Sequence, residues 1–563
     1  MYLFDSVKRD PRVRSLLAPR RIVWQSTGSA APKHSECLID SIQTQTSLSG
    51  EQGCLLSHRD QPCSVLLDFG REIYGGIQLV TRRTSDNRPV RLRIRFGESA
   101  SEAMGSRPDN DHGIHDLVAP VPWLGSAEYG STGFRFVRID TVDPNSWVEL
   151  ISAHAVCLHR DIPYLGSFRS NDPRLDAIWK TGAYTVHLNM QEFVWDGIKR
   201  DRLVWIGDLH PEAMVIAHVF GDHEIVRQSL DFVRDQTPVP NFMNGIFTYS
   251  LWWILIQRDW YRYHGNRTYL EAQRAYLVDL LSLLVSLKKS TLPDGFLDWP
   301  TSTNKPATEA GTRTLLVWAL RAGAELCAEL GEHRLANKCS TAAERWSTKA
   351  LPHHNVKTTA AVMTLAQMMT PEEANKTVLS REPLKGISTF YGYYILQARA
   401  LAKDYAGCLE LIRRYWGAML DFGATTFWEH FDLEWTKNAA RIDELVPQGK
   451  DDLHADFGDF CYKGFRHSLC HGWAGGPTAW LSEHVLGFRP LTPGSKKLLI
   501  EPHLEDLTWA KGTFPTPYGV VSVHHVRAAD GSIETEVDAP KEIELAVKTT
   551  TKRDRPIAPV PSR

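Results

Sequence analysis

The sequence predicts a multidomain protein in which a long helical region lies between two β regions. Apolar and polar residues alternate in the first 165 residues, most cleanly from Val90 to Phe96, which is typical of strands with one solvated face. Apolar residues then recur at three- and four-residue steps for about 300 residues, the spacing of amphipathic helices. After Leu486 the short alternating pattern returns.

Short strands separated by turn residues favour a β-sandwich over residues 1–165. The segments Ser64 to Gly70 and Phe134 to Asp140 read as further strands. Turns are predicted at Gly75-Gly76, Ser85 to Asn87 and Gly130 to Gly133.

The helical region is assigned to residues 166–486. Asn171-Asp172-Pro173 predicts a helix start, because a capping side chain precedes a proline in the first turn. A stripe from Leu316 to Leu330 ends at Gly331. No fixed repeat period is present, so the pattern fits either a solenoid or a closed toroid of paired helices. The long connections 290–313 and 421–466 are rich in Trp, Asp, Thr and His, and we expect them to carry function.

Residues 487–547 predict a small C-terminal β-sandwich, with strands at Lys497 to Pro502 and Gly519 to Val526. The tail, residues 548–563, contains charges and prolines without an apolar period. We expect this tail to be disordered.

Composition excludes several classes of protein. Lys and Arg number 64 and Asp and Glu 66, so the net charge of −2 gives no electrostatic reason to bind nucleic acid. No run approaches the ~18–20 apolar residues of a membrane span, and the N-terminus lacks a signal-peptide core. The nine cysteines are scattered without a C-x-x-C pair, which argues against disulfides and structural zinc. We therefore expect a cytoplasmic protein without a membrane partner, and the oligomeric state is left open.

The densest group of chemically active residues runs from Trp195 to Asp208. Asp196, Asp201 and Asp208 stand there beside Lys199 and Arg200. Crowded carboxylates raise one another's pKa and guanidiniums lower it, so such a mixture can supply a protonated acid next to ionised neighbours. The alternative is a solvated loop held by structural ion pairs.

Three further segments carry candidate residues. Thr425 to Asp432 contains Trp428 and Glu429, a carboxylate beside a Trp, which suits a base facing a sugar or an ordinary helix N-terminus. Asp294 to Pro300 holds Asp298-Trp299, which also fits a simple turn. Arg466 to Gly476 contains His467 and His471, but without an acidic ligand nearby the metal interpretation is weak. We expect no metal site and no cofactor.

Taken together, the four segments resemble glycoside hydrolase family 78, the inverting α-L-rhamnosidases. The segment Asp196 to Asp208 is similar, in the same register, to the family pattern D-C-P-x-R-E-R-x-G-W-x-G-D. Asp298-Trp299 resembles the D-W loop, Thr426 to Glu429 the T-x-W-E motif, and Ser468 to His471 the S-x-N-H segment. The resemblance covers about residues 165–547, and residues 60–165 are similar to the carbohydrate-binding-like sandwich that precedes the family's barrel.

This resemblance implies an (α/α)6 barrel as catalytic core, flanked by the two β domains. It implies an exo-glycosidase that releases terminal α-L-rhamnose, or a related deoxy sugar, with inversion. By position, Asp201 stands at the general acid and Glu429 at the base. The resemblance and the segments together imply substrate-binding roles for Asp196, Arg200, Trp205, Asp208, Asp298, Trp299, Trp428 and His471.

Three departures from the family pattern bear on function. Gly197-Ile198 replaces Cys-Pro, Val204 replaces a glycine, and Asp201 replaces the glutamate acid. Aspartate is one methylene shorter, and misplacement on the ångström scale can cost ~100-fold in rate. Two alternatives therefore stay open: a non-catalytic sugar-binding protein on a decayed hydrolase barrel, and a polysaccharide lyase on a similar toroid with a Tyr or His base.

Overall fold

The chain begins with an antiparallel sheet domain, continues as a barrel of helices and ends in two small sheets. The computed structural model describes residues 7, 9–50, 52–105, 115–348, 351–548 and 551–553. This order confirms the predicted fold class, whereas the exact domain boundaries stay a prediction.

The N-terminal sheet has the strand order β1-β8-β4-β7-β5-β6, with β2 paired to β4 and β3 to β8. A short helix, α1 (Ala100–Met104), follows β5. The strands are β1 (Val13–Leu17), β2 (Arg21–Gln25), β3 (Cys54–Ser57), β4 (Ser64–Thr84), β5 (Val90–Gly97), β6 (His115–Val121), β7 (Gly125–Thr141) and β8 (Trp147–His159).

Two of the predicted turns in this region are wrong. Gly75-Gly76 lies inside the long strand β4 and Gly130 to Gly133 lies inside β7, at places where the pairing register shifts. Glycine is needed at Gly75 because a Cβ there would lie 1.9 Å from the carbonyl oxygen of Val156. Such bulges bend the strands, so one sheet folds over a shared core of its own. The turn at Ser85 to Asn87 is confirmed between β4 and β5.

The helices form a closed barrel, which decides between the solenoid and the toroid. Contacts run from α3 to α5, α8, α10, α12 and α14, and α14 returns to α3, so six inner helices close a ring. The helices are α2 (Pro173–Asn189), α3 (Ile206–Val219), α4 (Glu224–Gln236), α5 (Phe247–His264), α6 (Arg267–Ser286), α7 (Trp299–Ser302), α8 (Lys305–Glu329), α9 (His333–Ser347), α10 (Lys357–Leu365), α11 (Pro371–Ala374), α12 (Gly392–Leu401), α13 (Tyr405–Asp421) and α14 (Gly476–Trp480).

Local sequence explains where these helices begin and end. The Asp172 side chain accepts hydrogen bonds from the backbone N–H groups of Arg174 and Leu175, so the predicted start of α2 is confirmed. Gly331 follows α8 with a φ of 78°, the left-handed conformation that ends helices. Helix α3 is buried along its whole length, as expected for an inner helix.

The C-terminal part forms a three-stranded sheet, β10-β11-β15, and a five-stranded sheet, β16-β14-β13-β12-β9. Strand β9 lies just before α2, so the chain enters the barrel through the C-terminal sheet. The strands are β9 (Ser167–Ser170), β10 (Phe488–Pro490), β11 (Lys497–Ile500), β12 (Trp509–Thr516), β13 (Gly519–Arg527), β14 (Ile533–Asp538), β15 (Glu544–Val547) and β16 (Thr551–Arg553).

The tail expected to be disordered contributes β16, which pairs in parallel with β14. Most of that tail, residues 549–550 and 554–563, lies outside the described residues. Across the part of the chain that is described, none of the helices has the length and apolar character that crossing a membrane requires.

Candidate active site

A cavity of about 330 Å³ lies where the inner helices begin. The starts of α3, α5 and α7 contribute to its wall, together with the loops around residues 429 and 461–473. Its lining residues are Asp196, Arg200, Asp201, Trp205, Asp208, Ile246, Tyr249, Phe296, Trp299, Glu429, Cys461, Arg466, His471 and Trp473.

Most of the residues singled out in the sequence meet in this cavity. Two do not line it. Asp298 is buried behind the wall, where its carboxylate caps α7 through Thr301 and accepts a hydrogen bond from the Ser388 hydroxyl at 3.0 Å. Trp428 is fully buried and packs edge-on against Phe431. Their positions indicate support of the loops that carry Trp299 and Glu429.

The loop before α3 is closed on itself by Asp196. The Asp196 N–H donates to the carbonyl of Leu203 at 3.0 Å, and the Asp196 carboxylate accepts from the Leu203 N–H at 2.9 Å. Between these contacts Asp201 and Arg202 both take positive φ values, 56° and 54°. This tight turn places the Asp201 side chain at the rim, with 30% of its surface exposed.

A single guanidinium lies between the two carboxylates predicted as acid and base. Arg200 Nη2 donates to Glu429 Oε2, and Arg200 Nη1 lies 3.6 Å from Asp201 Oδ1. The Arg200 Nε–H also donates to the carbonyl of Arg466 at 2.6 Å, which fixes the plane of the guanidinium. The separation of the two carboxylates is therefore set by the width of one guanidinium and its two contacts.

Glu429 is buried yet held in its ionised form. Its N–H donates to the carbonyl of Ser468 at 3.0 Å, and its carboxylate accepts from the Ser468 N–H at 3.2 Å. Burial alone would raise the pKa of Glu429, but Arg200, His471 and the Ser468 N–H together hold that pKa below its usual value. An ionised carboxylate can accept a proton.

His471 lies among carboxylates in the same cavity. His471 Nε2 is 3.1 Å from Asp208 Oδ1, and Nδ1 has no partner among the described residues. Burial alone would lower the pKa of His471, but Glu429 and Asp208 raise it above its usual value. Burial raises the pKa of Asp208 and raises that of Asp196 more strongly. The His471 imidazole can donate hydrogen bonds, and the neighbouring carboxyl groups can accept them.

Several lining residues were missed in the sequence. Tyr249 donates to Asp208 Oδ2 at 3.4 Å, and no sequence pattern distinguishes it from its buried neighbours in α5. Behind the wall, Glu212 is fully buried with an unpartnered Oε1 among the described residues, and burial raises its pKa well above its usual value. Its spacing of four from Asp208 is a helical signal that could have identified it.

Aromatic rings surround the mouth of the cavity. The Trp299 ring is 41% exposed, meets Phe296 edge-on and stacks on Phe460 with ring centroids 6.2 Å apart. Trp205 meets Tyr249 edge-on across the wall. The site thus combines an inner polar part with an outer aromatic part, the composition expected of a small-molecule pocket.

Two family models match the chain. One, described as the bacterial alpha-L-rhamnosidase 6 hairpin glycosidase domain, matches residues 163–381. The other, the bacterial alpha-L-rhamnosidase C-terminal domain, matches residues 487–560. Together they cover just over half of the sequence.

Similar proteins and solved structures also have rhamnosidase names. An alpha-L-rhamnosidase of Alteromonas sp. (strain LOR) is 25% identical over 562 residues, covering 87% of this chain and 57% of the relative, so this chain spans little more than half of its length. The structure of a GH78 rhamnosidase of Bacillus sp. GL1 has a TM-score of 0.73 at 23% identity, covering 91% of this chain and 55% of that one. A Klebsiella oxytoca rhamnosidase with rhamnose bound has a TM-score of 0.66 at 21% identity, covering 84% and 96%.

The contact between His471 and Asp208 gives a first prediction. Asp208→Asn removes one of the negative charges that raise the pKa of His471, so we expect that pKa to fall. An NMR titration of the imidazole nitrogens measures it. Asp259→Asn removes the carboxylate of a different buried pair, with His210, and serves as control. An unchanged His471 pKa in Asp208→Asn would contradict the electrostatic account of this site.

Proposed function

Because this chain belongs to the bacterial α-L-rhamnosidases of glycoside hydrolase family 78, we propose that it is an inverting exo-glycosidase. Its substrates are terminal α-L-rhamnosides or glycosides of a related deoxy sugar. The observation that carries the proposal is the placement of Asp201 and Glu429 on either side of the Arg200 guanidinium. Inverting glycosidases hold their carboxyl groups ~6.5–9.5 Å apart, which leaves room for a water molecule.

In this proposal Glu429 is the general base. Its lowered pKa keeps it ionised near neutral pH, and its contacts with Arg200 and Ser468 fix the direction of the carboxylate. Glu429 takes a proton from water as that water attacks the anomeric carbon on the face opposite the leaving group.

Asp201 is the proposed general acid. Its position at the rim suits a group that must reach the glycosidic oxygen between the sugar and the rest of the substrate. Asp196 is the alternative acid, because burial raises its pKa well above the usual value and its carboxyl also lines the cavity.

The remaining cavity residues are proposed to bind the sugar. Asp208 and His471 provide hydrogen-bonding groups for sugar hydroxyls. Tyr249, Phe296 and Trp205 supply apolar surface on which the methyl group of a 6-deoxy sugar can pack. A cavity of about 330 Å³ is at the small end of ligand pockets and suits one terminal sugar residue, with the aglycone at the exposed Trp299.

The replacement of the family's glutamate by Asp201 is also compatible with the alternative, a non-catalytic sugar-binding protein. A shorter acid beside a guanidinium could bind sugar without protonating the leaving group. Hydrolysis of an aryl rhamnoside by the purified protein would exclude this alternative, whereas rhamnose binding without turnover would favour it. Appearance of an unsaturated uronate from a polysaccharide would favour the lyase instead.

We also propose a cytoplasmic location. The nine cysteines lack the paired spacing of a disulfide framework, which supports a reducing compartment.

The base assignment predicts that Glu429→Gln lowers kcat by at least ~100-fold while rhamnose binding is retained. Glutamine keeps the shape and can still accept the Ser468 N–H, but it cannot take a proton from water, and loss of a general base costs ~10²–10⁴-fold. Steady-state kinetics on an aryl rhamnoside and calorimetric rhamnose binding measure the two effects. Near-wild-type turnover would remove Glu429 from this role.

The acid assignment predicts a dependence on the leaving group. Asp201→Asn should slow hydrolysis of a natural disaccharide strongly and that of a nitrophenyl rhamnoside only slightly, because nitrophenolate leaves without full protonation. The matched variant Asp196→Asn tests the alternative acid. Equal losses on both substrates for Asp201→Asn would assign Asp201 to sugar binding, and leaving-group dependence in Asp196→Asn would transfer the acid role there.

A further inference from the structure

The N-terminal sheet domain reaches the loops that carry the active site. The turn after β5 and helix α1 pack against the segment 452–469 and against the loop before α3. The contacts include Ser99 Oγ with His454 Nδ1 at 2.7 Å, and the Ala100 N–H with the carbonyl of Ile442 at 2.8 Å. On the same side, the Gly133 N–H donates to the carbonyl of Ile198 at 3.0 Å. The sheet domain therefore packs against the loop before α3, which carries Asp201, and against the loop segments that bind Glu429.

Glu98 connects the sheet domain to the backbone that binds Glu429. Its Oε2 accepts from the Leu469 N–H at 2.7 Å, and its Oε1 lies 3.5 Å from Ser468 Oγ. Ser468 is the residue whose backbone N–H and C=O both bind Glu429. One short chain of contacts thus runs from the N-terminal domain through the backbone at 468–469 to the Glu429 carboxylate.

Lys199 supplies the positive charge that this buried carboxylate requires. Its ammonium lies 3.0 Å from Glu98 Oε2 and 3.1 Å from Glu102 Oε1, and it donates to the carbonyls of Phe465 and His467 at 2.6 and 2.8 Å. All three charged side chains are essentially inaccessible to solvent. Glu98, Glu102 and His454 lie close enough to hold a cation, and the cation that their carboxylates bind here is Lys199.

Lys199 directly precedes Arg200 in the loop before α3, and these two cations have separate partners. Lys199 binds the carboxylates of the sheet domain, and Arg200 binds Glu429. Both Glu98 and Glu102 therefore anchor Lys199 in the interior, whereas Arg200 points to the base.

We propose that Glu98 is a positioning residue for Glu429, and that the N-terminal sheet domain is thereby an integral part of the active site. The proposal rests on the proposed function of Glu429 as base. Glu98 acts through Leu469 and Ser468, whose backbone directs the base. Glu102 shares the burial and the Lys199 contact, and it accepts the Glu98 N–H at 2.8 Å, which the oxygen of a glutamine can also accept. Among the described residues Glu102 has no hydrogen bond or ion pair to residues 468–469, so it separates positioning from stability.

The test compares Glu98→Gln with the matched variant Glu102→Gln. In Glu98→Gln the oxygen that binds the Leu469 N–H and Lys199 no longer carries charge, and the amide NH2 replaces the acceptor that faces Ser468 Oγ, so the contacts that position residues 468–469 weaken. We expect kcat on an aryl rhamnoside to fall ~10–100-fold with KM within about threefold of wild type, because ångström-scale misplacement costs up to ~100-fold. We expect Glu102→Gln to lower the thermal midpoint at least as much, while kcat stays within about threefold of wild type.

The pH profile provides a readout that loss of stability alone does not change. Loss of the Ser468 N–H contact removes one of the influences that lower the pKa of Glu429, so the acidic limb of kcat should move to higher pH in Glu98→Gln only. Both variants leave the other titratable groups that interact with Glu429 unchanged, namely Arg200, His471, Asp208, Cys461, His430 and Tyr462. Equal limbs or equal kcat losses in the two variants would overturn the proposal.

A carboxyl ¹³C NMR titration makes the result independent of activity. The Glu429 signal is assigned by its loss in Glu429→Gln, and its pKa is then compared in wild type, Glu98→Gln and Glu102→Gln. A rise in Glu98→Gln alone supports the proposal. If the wild-type protein hydrolyses no rhamnoside, the proposed function fails, while an unmoved Glu429 pKa in Glu98→Gln separately contradicts the positioning role.

Discussion

The ion pair between Arg200 and Glu429 is the contact on which the candidate site depends. A carboxylate removed from water is strongly destabilised unless a charge and hydrogen bonds compensate it, and here one guanidinium and the Ser468 N–H provide both. The same guanidinium faces Asp201, so it also sets the spacing of the two proposed reacting carboxylates. Without it Glu429 would be protonated or displaced, and neither state could activate water.

The rest of the fold can be understood as the support of this pair. Six inner helices close a ring, and the loops at their N-terminal ends bring together residues far apart in the sequence. Asp298 and Trp428 stabilise those loops from within, through a helix cap and an aromatic contact. The N-terminal sheet closes the same region from behind through its contacts with Lys199 and Leu469. Catalytic geometry would then be a property of the sheet domain and the barrel together.

Local patterns were sufficient for the order of the β and helical regions and for most of the cavity. The segment Asp196 to Asp208 could be recognised because its charges are dense and its spacing resembles a known family. Glu98 and Glu102 could not be recognised in this way. A charged side chain near the end of a predicted strand is expected to be solvated, and only the tertiary packing shows that these two carboxylates are buried beside Lys199. The bulge at Gly75 was read as a turn, because the sequence does not show that a neighbouring strand passes within contact distance. The role of Asp298 was similarly ambiguous, since one aspartate can cap a helix or bind a sugar.

The stereochemistry of the released sugar tests the central claim most directly. If Glu429 activates a water on the face opposite the leaving group, proton NMR in the first minutes of turnover of an α-L-rhamnoside will show the β anomer appearing before mutarotation. A first product with the α configuration would mean that a carboxylate attacks the sugar itself, and it would contradict the assignment of Glu429 as a base separated from the acid by Arg200.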